Sequence, residues 1–327
     1  MDILILHDEV GPDARSDETD VLQQRDAVRE ALLRVGHRVR SAPVGLDLAA
    51  LAARLGDDPP ELVFNLVETI ARSGRLIHVL PALRDTLGVR YSGSGTDAIY
   101  TTSNKRLAKR LLTAAGLPTP EATTRDQLRA ARRFTPGRYL VKSNLEHGSL
   151  GIGPDSVVAV EDAAALERAI AELEPRCGGD AIAERYVSGR ELNLSLLSDD
   201  GRPEVLPPAE IDFVDWPEDR PKIVDYRAKW DGDSHEYRST PRRFDFGPTD
   251  AALLDELRVL GLRCWQLFEL RGHVRVDFRV DADGRPWILE VNTNPCLSPD
   301  AGFPAAVERA GLGFDQAIAR IVADAAR

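Results

Sequence analysis

Cysteine is nearly absent from this chain. The 327 residues hold three, Cys177, Cys264 and Cys296, an odd number without metal-ligand spacing. That excludes a disulfide framework and a cysteine zinc site, points to a reducing compartment, and leaves each thiol as a small core filler. Long apolar runs are missing too. No stretch approaches the ~18 residues of a membrane span, and the opening "MDILILHDEV" has neither a basic n-region nor an apolar run long enough for a signal peptide. The expectation is a cytoplasmic protein. Excess positive charge is lacking: 53 acidic against 42 basic residues give a net charge of −11 and a pI near 5.2. Nucleic acid and anionic membrane surfaces are therefore poor partners. Lysine is scarce, with only Lys105, Lys109, Lys142, Lys222 and Lys229 among the 42 basic residues. In so arginine-rich a chain a lysine marks a position where a compact point charge suits the site better than a planar fork. There is no GxxxxGK[ST] phosphate loop, no internal repeat and no low-complexity tract.

What is present is an ordinary soluble composition, 43% apolar and 29% charged, in a chain long enough for two or three domains. Residues 2–92 alternate apolar runs ("ILIL", "LVFNLV") with amphipathic stretches ("TDVLQQRDAVREALLRVG", capped by Thr19 or Asp20, and "RLIHVLPALRDTLG"). This alternation predicts βαβ units and a parallel sheet, whose ligands lie at the carboxyl ends of the strands. His7, Asp8 and Glu9 follow the first strand, and Glu68 follows "FNLV". The polar, Gly-rich "SGSGTDA" sets a domain boundary near 96. A second boundary near 183 divides the remainder into segments 97–183 and 184–327. Beyond it lie further strands, a charged insertion at 215–245, a helix over 250–268 and a final helix over 314–326.

Two stretches carry candidate chemistry. "KSNLEHGSLGIG" is a loop between strands in which Gly148, Gly151 and Gly153 permit close backbone approach, Ser149 offers a hydroxyl and Lys142 precedes on the strand. "RVDFRVDADGRPWILEVNTNP" reads as a hairpin turning at Asp283–Gly284. Centring the turn there sets Val276 opposite Val291, Phe278 opposite Leu289 and Val280 opposite Trp287 on an apolar face. The other face sets Asp277 opposite Glu290 and Arg275 opposite Asn292. Two carboxylates directly across a ladder repel, and a hard cation such as Mg2+ would reverse that sign with oxygen ligands from Asp277, Glu290 and Asn292. The same face also fits a solvated surface on which Arg275 pairs off the acids.

Taken in order, "LVFNLVE", "RYSGSGTDA", "NKRLAKRLLTAAGLPTP", "LVKSNLEHGSLGI", "AERYVSGRELNLSLL", "VDYRAKWDGDSHEY" and the hairpin resemble the segments of the ATP-grasp superfamily, and within it D-alanine–D-alanine ligase and its relatives. The resemblance runs from about Leu62 to the end and more loosely before. It implies an α/β (α+β) ATP-grasp fold, with an N-terminal Rossmann-like domain and two subdomains that sandwich ATP. It further implies that Lys105, Lys142 and Lys229 contact the phosphates and that Gly148 and Ser149 close over them. Glu184, Arg185 and Val187 would line the adenine pocket, and Glu191 would take the ribose. Asp277, Glu290 and Asn292 would hold two Mg2+ ions, with Mn2+ as a substitute. Catalysis would rest on Arg275, Lys229 and Ser149, Arg275 facing the oxyanion. The implied reaction is ATP-dependent amide formation through an acyl phosphate, between a small-molecule carboxylate and an amine or amino acid. A homodimer is compatible with it.

Both amino-acid subsites depart from the family pattern. The family's opening Gly-Gly-x-Ser-x-Glu is replaced by "LHDEVGPDARSDETD", with Glu18 the nearest acid, and Glu68-Thr69 stands where the ligases carry His-Gly. Gly148 replaces the first serine of a Ser-Ser pair, and Trp230 the tyrosine that follows the phosphate lysine of the family's mobile loop, here Lys229 in the 215–245 insertion, which would act as a lid. A hydrogen-bonded link between those two positions is therefore expected to be lost. Ala301-Gly302 replaces the Ser-Leu pair at the second carboxylate. The expectation is a ligase whose substrates are not two D-alanines. A true D-alanine–D-alanine ligase with a relocated subsite and a non-catalytic nucleotide-binding protein are the alternatives.

Overall fold

The computed structural model describes all 327 residues, Met1–Arg327. Three sheets organise it. A parallel sheet orders Arg38–Val44, Asp2–Asp8 and Leu62–Asn65, the first strand lying in the middle. Its fully buried "ILIL" run is packed on both faces, as a parallel sheet flanked by helices requires. The first helix is longer than the sequence suggests. It spans Ser16–Arg34 with Arg15 as N-cap, so Thr19 and Asp20 lie inside it; Glu18 reaches back to the Arg15 amide (2.8 Å) and performs the capping.

An antiparallel sheet of four strands follows, ordered Ala122–Thr123, Ala181–Arg185, Gly137–Ser143, Val157–Val160. Alternation along Gly137–Ser143 sends Tyr139 and Val141 into a core with Leu166, Ile170 and Leu173 of helix Ala163–Leu173. Leu140 and Lys142 are thereby turned to the opposite face.

The third sheet is antiparallel and ordered Arg242–Arg243, Ala209–Ile211, Arg190–Asp199, His273–Val280, Pro286–Asn292, with Arg202–Val205 pairing beside Arg190–Asp199. Val274, Val276, Phe278 and Val280 bury themselves against Leu257, Leu260 and Cys264 of helix Ala251–Leu267, so Arg275, Asp277 and Arg279 face the other way. Two helices at the end of the chain, Gly302–Arg309 and Phe314–Ala325, pack into one core with the first helix and the N-terminal sheet. No helix is long and apolar enough to cross a membrane.

The hairpin departs from its expected register. The turn uses residues 281–285: Gly284 N donates to Asp281 O and Asp281 N to Arg285 O, both at 3.0 Å, with Gly284 at φ +79°. Phe278 therefore faces Ile288, Arg279 faces Trp287 and Val280 faces Pro286. A bulge at Leu289 then restores the expected Arg275–Asn292, Val276–Val291 and Asp277–Glu290 pairs. The one-residue slip at the turn and the one-residue bulge cancel. Ile288 takes the apolar face in place of Leu289, and Leu289 turns into the cleft described next.

Candidate active site

A cleft opens between the four-stranded and the third sheet. Lys105, Lys142, Gly148, Ser149, Glu184, Arg185, Val187, Glu191, Lys229, Asp277 and Glu290, all singled out from sequence, line it together. Leu140, Ile223 and Leu289 supply apolar wall.

The charges are arranged around Glu290. Its carboxylate accepts no hydrogen bond, and although burial alone would raise it, Lys105, Lys142 and Lys229 with His147 hold it well below the usual carboxylate range. Burial pushes Lys105 down to about 8, against the pull of Glu290; burial also pushes His147 down to about 4, with Lys105 adding to the effect. Lys105 opens helix Lys105–Ala114, capped by Asn104, and its ammonium donates to the Glu146 carbonyl (2.8 Å). Asp277, directly across from Glu290, is gripped at both oxygens by Arg275 (2.7 and 2.8 Å) and accepts from Asn193 (2.7 Å). Asn292 Oδ1 accepts from the Asn294 amide (2.9 Å). No three His, Cys, Asp or Glu side chains cluster as metal ligands; the hairpin offers two carboxylates and one amide oxygen.

Some predicted residues are already engaged. The Arg185 guanidinium lies across Tyr139 and donates to the Pro136 carbonyl (3.0 Å). The Val187 carbonyl accepts from Arg279 (3.0 Å), which also pairs with Glu191 (3.0 Å) directly across the ladder. Glu18 is held by Arg15 and by Arg72 (2.7 Å). Glu68 sits beside Asp8, whose carboxylate accepts from the Glu68 amide (2.8 Å). Burial, with Asp8 and Asp20 nearby, pushes its carboxyl up to about 8. Ala301 is the N-cap of helix Gly302–Arg309 and provides no side-chain cap.

One expectation is corrected. The link between positions 148 and 230 exists, rebuilt through the backbone: the Trp230 indole N–H donates to the Gly148 carbonyl (2.8 Å). Gly148 stands at φ +65°, and a Cβ there would meet the indole at 3.3 Å, so glycine is what lets the large ring approach. The Ser149 hydroxyl donates to the Val224 carbonyl (2.9 Å), and the Tyr226 hydroxyl to Asp17 (2.7 Å). The 215–245 insertion is thus tied to the Gly loop and to the first helix.

Sequence reasoning missed Arg279, Lys109, Tyr226 and Arg242. Arg279 was accessible through the same alternation that put Arg275 and Asp277 on one face. Arg242 lies beside Gly302, its guanidinium nitrogen 3.4 Å from where a Cβ would stand, and donates to the Asp300 carbonyl (2.7 Å). Nothing local in the sequence marks it.

The family model described as D-ala D-ala ligase C-terminus matches residues 131–323, more than half of the chain. The D-alanine–D-alanine ligase of Gloeobacter violaceus is 33% identical over 319 residues, covering 95% of this chain and 96% of that protein. The chain belongs to the D-alanine–D-alanine ligase family. It is accordingly an ATP-grasp carboxylate–amine ligase, an ATP-dependent, ADP-forming enzyme that makes carbon–nitrogen bonds. The family likeness extends to an uncharacterized protein of Sinorhizobium fredii, 28% identical over 90% of this chain and 84% of that one. Among solved structures, the D-alanine–D-alanine ligase of Bacillus anthracis complexed with ATP superposes with a TM-score of 0.72 over 99% of this chain and 97% of that chain. At 19% identity this match establishes the common fold.

Proposed function

We propose that this ligase joins a carboxylate to an amine through an acyl phosphate, and that its substrates are not a pair of D-alanines. The observation that carries the nucleotide part is that Lys105, Lys142 and Lys229 line one cleft together with Glu290 and Asp277, the two acids lying directly across the ladder from each other. Three ammonium groups suit a triphosphate, and the Gly148–Ser149 turn brings backbone close to it. The end of strand Ala181–Arg185, with Val187, would serve as an extended edge for adenine between Leu140, Ile223 and Leu289, and Glu191, which lines the same cleft and pairs with Arg279, would take a ribose hydroxyl.

The donor set suits Mg2+, or Mn2+ in its place: Asp277, Glu290 and Asn292 present hard oxygens, and the Glu290 carboxylate is free of hydrogen-bond donors. When bound there, such ions neutralise phosphate charge. The chain's own groups then account for the rest. Lys105, Lys142 and Lys229 hold the γ-phosphoryl group while a substrate carboxylate oxygen attacks phosphorus, and the bond to the ADP oxygen breaks. The amine nitrogen next attacks the acyl carbon, Arg275 faces the negative oxygen, and the carbon–oxygen bond to phosphate breaks as the amide forms, the departing inorganic phosphate taking the proton the amine gives up. Such chemistry needs ATP and belongs in the cytoplasm.

The substrate part rests on the rewritten subsites. Glu18 is taken up by Arg15 and Arg72, Glu68 sits beside Asp8 with its carboxyl pushed toward the neutral form, Trp230 closes the lid with an apolar ring, and Ala301-Gly302 has no polar side chain. Arg242 beside Gly302 supplies a cation for an acidic acceptor. The deciding experiment measures ADP release across a panel of D- and L-amino acids, hydroxy acids and amines, with hydroxylamine present to capture the acyl phosphate as a hydroxamate. Hydroxamate from an acid other than D-alanine is the expected result. D-Alanine as the best substrate would restore the ordinary cell-wall activity, and neither ADP nor hydroxamate from any acid would leave a nucleotide-binding protein without ligase activity.

A further inference from the structure

Behind the cleft lies a buried cation that does not line it. Lys109, on helix Lys105–Ala114, is 5% exposed. Its ammonium lies 2.8 Å from Glu184 Oε2 and donates to the Thr119 hydroxyl at 3.0 Å. From the other side Lys142 lies 2.8 Å from Glu184 Oε1. Glu184 is 1% exposed, so its charge is answered by these two lysines rather than by solvent. Two cations and one anion leave a single positive charge. Were Glu184 paired with Lys142 alone, the pair would cancel and the cleft would lose that charge where screening is weak. The contact also reaches the hairpin: the Thr119 hydroxyl donates to the Ile288 carbonyl and Ile288 N to the Pro118 carbonyl, both at 2.8 Å, beside the Leu289 bulge and Glu290.

We propose that Lys109 is a positioning residue for the nucleotide. By engaging Glu184 it leaves Lys142 with an uncancelled charge to meet the phosphates, and through Thr119 it ties that lysine to the strand carrying Glu290. The proposal rests on the cleft being the ATP site and is independent of which acid and amine are joined. The test is calorimetric binding of ATP, ADP and adenosine to the full chain. K109M is expected to weaken ATP and ADP about tenfold and to leave adenosine nearly unchanged, since only phosphates sense the charge on Lys142. Glu184 also lines the cleft, so its variants are read as the ratio of ATP to adenosine affinity, which removes any change in adenine contact. In K109M/E184Q nothing cancels Lys142, and the ratio lost in K109M returns. E184Q alone, with two uncancelled cations, gives a ratio at least that of wild type and a steeper salt dependence for ATP. A wild-type ratio in K109M, or a double variant whose ratio is no higher than that of K109M, overturns the proposal. Should K109M fail to fold, E184Q decides, and a ratio below wild type there overturns it. These failures, with wild type still binding ATP, leave the nucleotide cleft intact; a wild-type chain that does not bind ATP removes the cleft reading itself.

Discussion

Glu68 is a carboxyl whose surroundings oppose its charge. Its carboxyl titrates near 8 in the fold against an ordinary 4.5, because burial, Asp8 and Asp20 all disfavour ionisation. Between those values the folded chain keeps a proton that the unfolded chain has lost. The stabilisation is complete below 4.5 and is lost as pH rises through 8, with a slope approaching about 1.4 kcal/mol per pH unit. E68Q should therefore flatten the fall in melting temperature between pH 5 and 8 and be the more stable form at pH 9; parallel profiles for the two proteins would mean that Glu68 is ionised and compensated. Glu290 is the opposite case, a carboxylate kept ionised by lysines. E290Q should lower the rate of ADP release roughly 100-fold, and an ADP-release assay titrated with Mg2+ reads the loss directly. The same variant should be less stable than wild type above pH 5, where the ionised carboxylate answers the lysines, and the difference should shrink as the pH falls well below the usual carboxylate range.

The lid and the hairpin are the elements that decide catalysis. The lid is bonded to the Gly loop through Trp230 and Ser149 and to the N-terminal helix through Tyr226. Closure of this kind excludes water from an acyl phosphate. W230F and Y226F should each raise the ADP released per amide formed severalfold while leaving ATP affinity close to wild type; a ratio that stays at one would deny the lid that role. G148A should cost about 1–2 kcal/mol of stability, because the new Cβ meets the indole at a positive φ. The hairpin also marks where sequence reasoning stops. Period-two alternation placed Asp277 and Glu290 together, and the Asp-Gly dipeptide located the turn within a residue. Neither could reveal the bulge at Leu289, which depends on Thr119 and Pro118 clamping Ile288 from a distant segment. The Trp230–Gly148 bond was hidden for a similar reason: a missing side chain reads as a missing bond, while a backbone carbonyl is present at every position. Lys109 gave only a compositional hint, since its partner lies 75 positions along the chain.

At the scale of the whole molecule, the nucleotide cleft and the substrate wall meet at the Gly148–Trp230 contact, while Ala301-Gly302 lies apart from the cleft lining, so substrate choice can change there without touching the phosphate lysines. D-Alanine should show kcat/KM at least about 10³-fold below that of the best substrate in a panel, with ATP saturating; parity would mean that Gly148, Trp230, Ala301 and Gly302 do not set specificity. Composition and strand–helix alternation made the parallel sheet and the order of segments legible. The return of the last two helices to the first sheet left no local trace, because an amphipathic helix does not say which core its apolar stripe will fill. That return has a consequence for synthesis. Ile3, Ile5 and Phe64 share their core with Phe303, Ile318 and Ile321, so a ribosome must release almost the whole chain before the first sheet can be covered. Until residues 303–321 emerge, the nascent protein displays an apolar face made from residues 3–64. Folding should consequently be slow and dependent on holding factors, and a chain stopped at residue 300 should emerge with its nucleotide cleft encoded yet precipitate through its amino-terminal sheet.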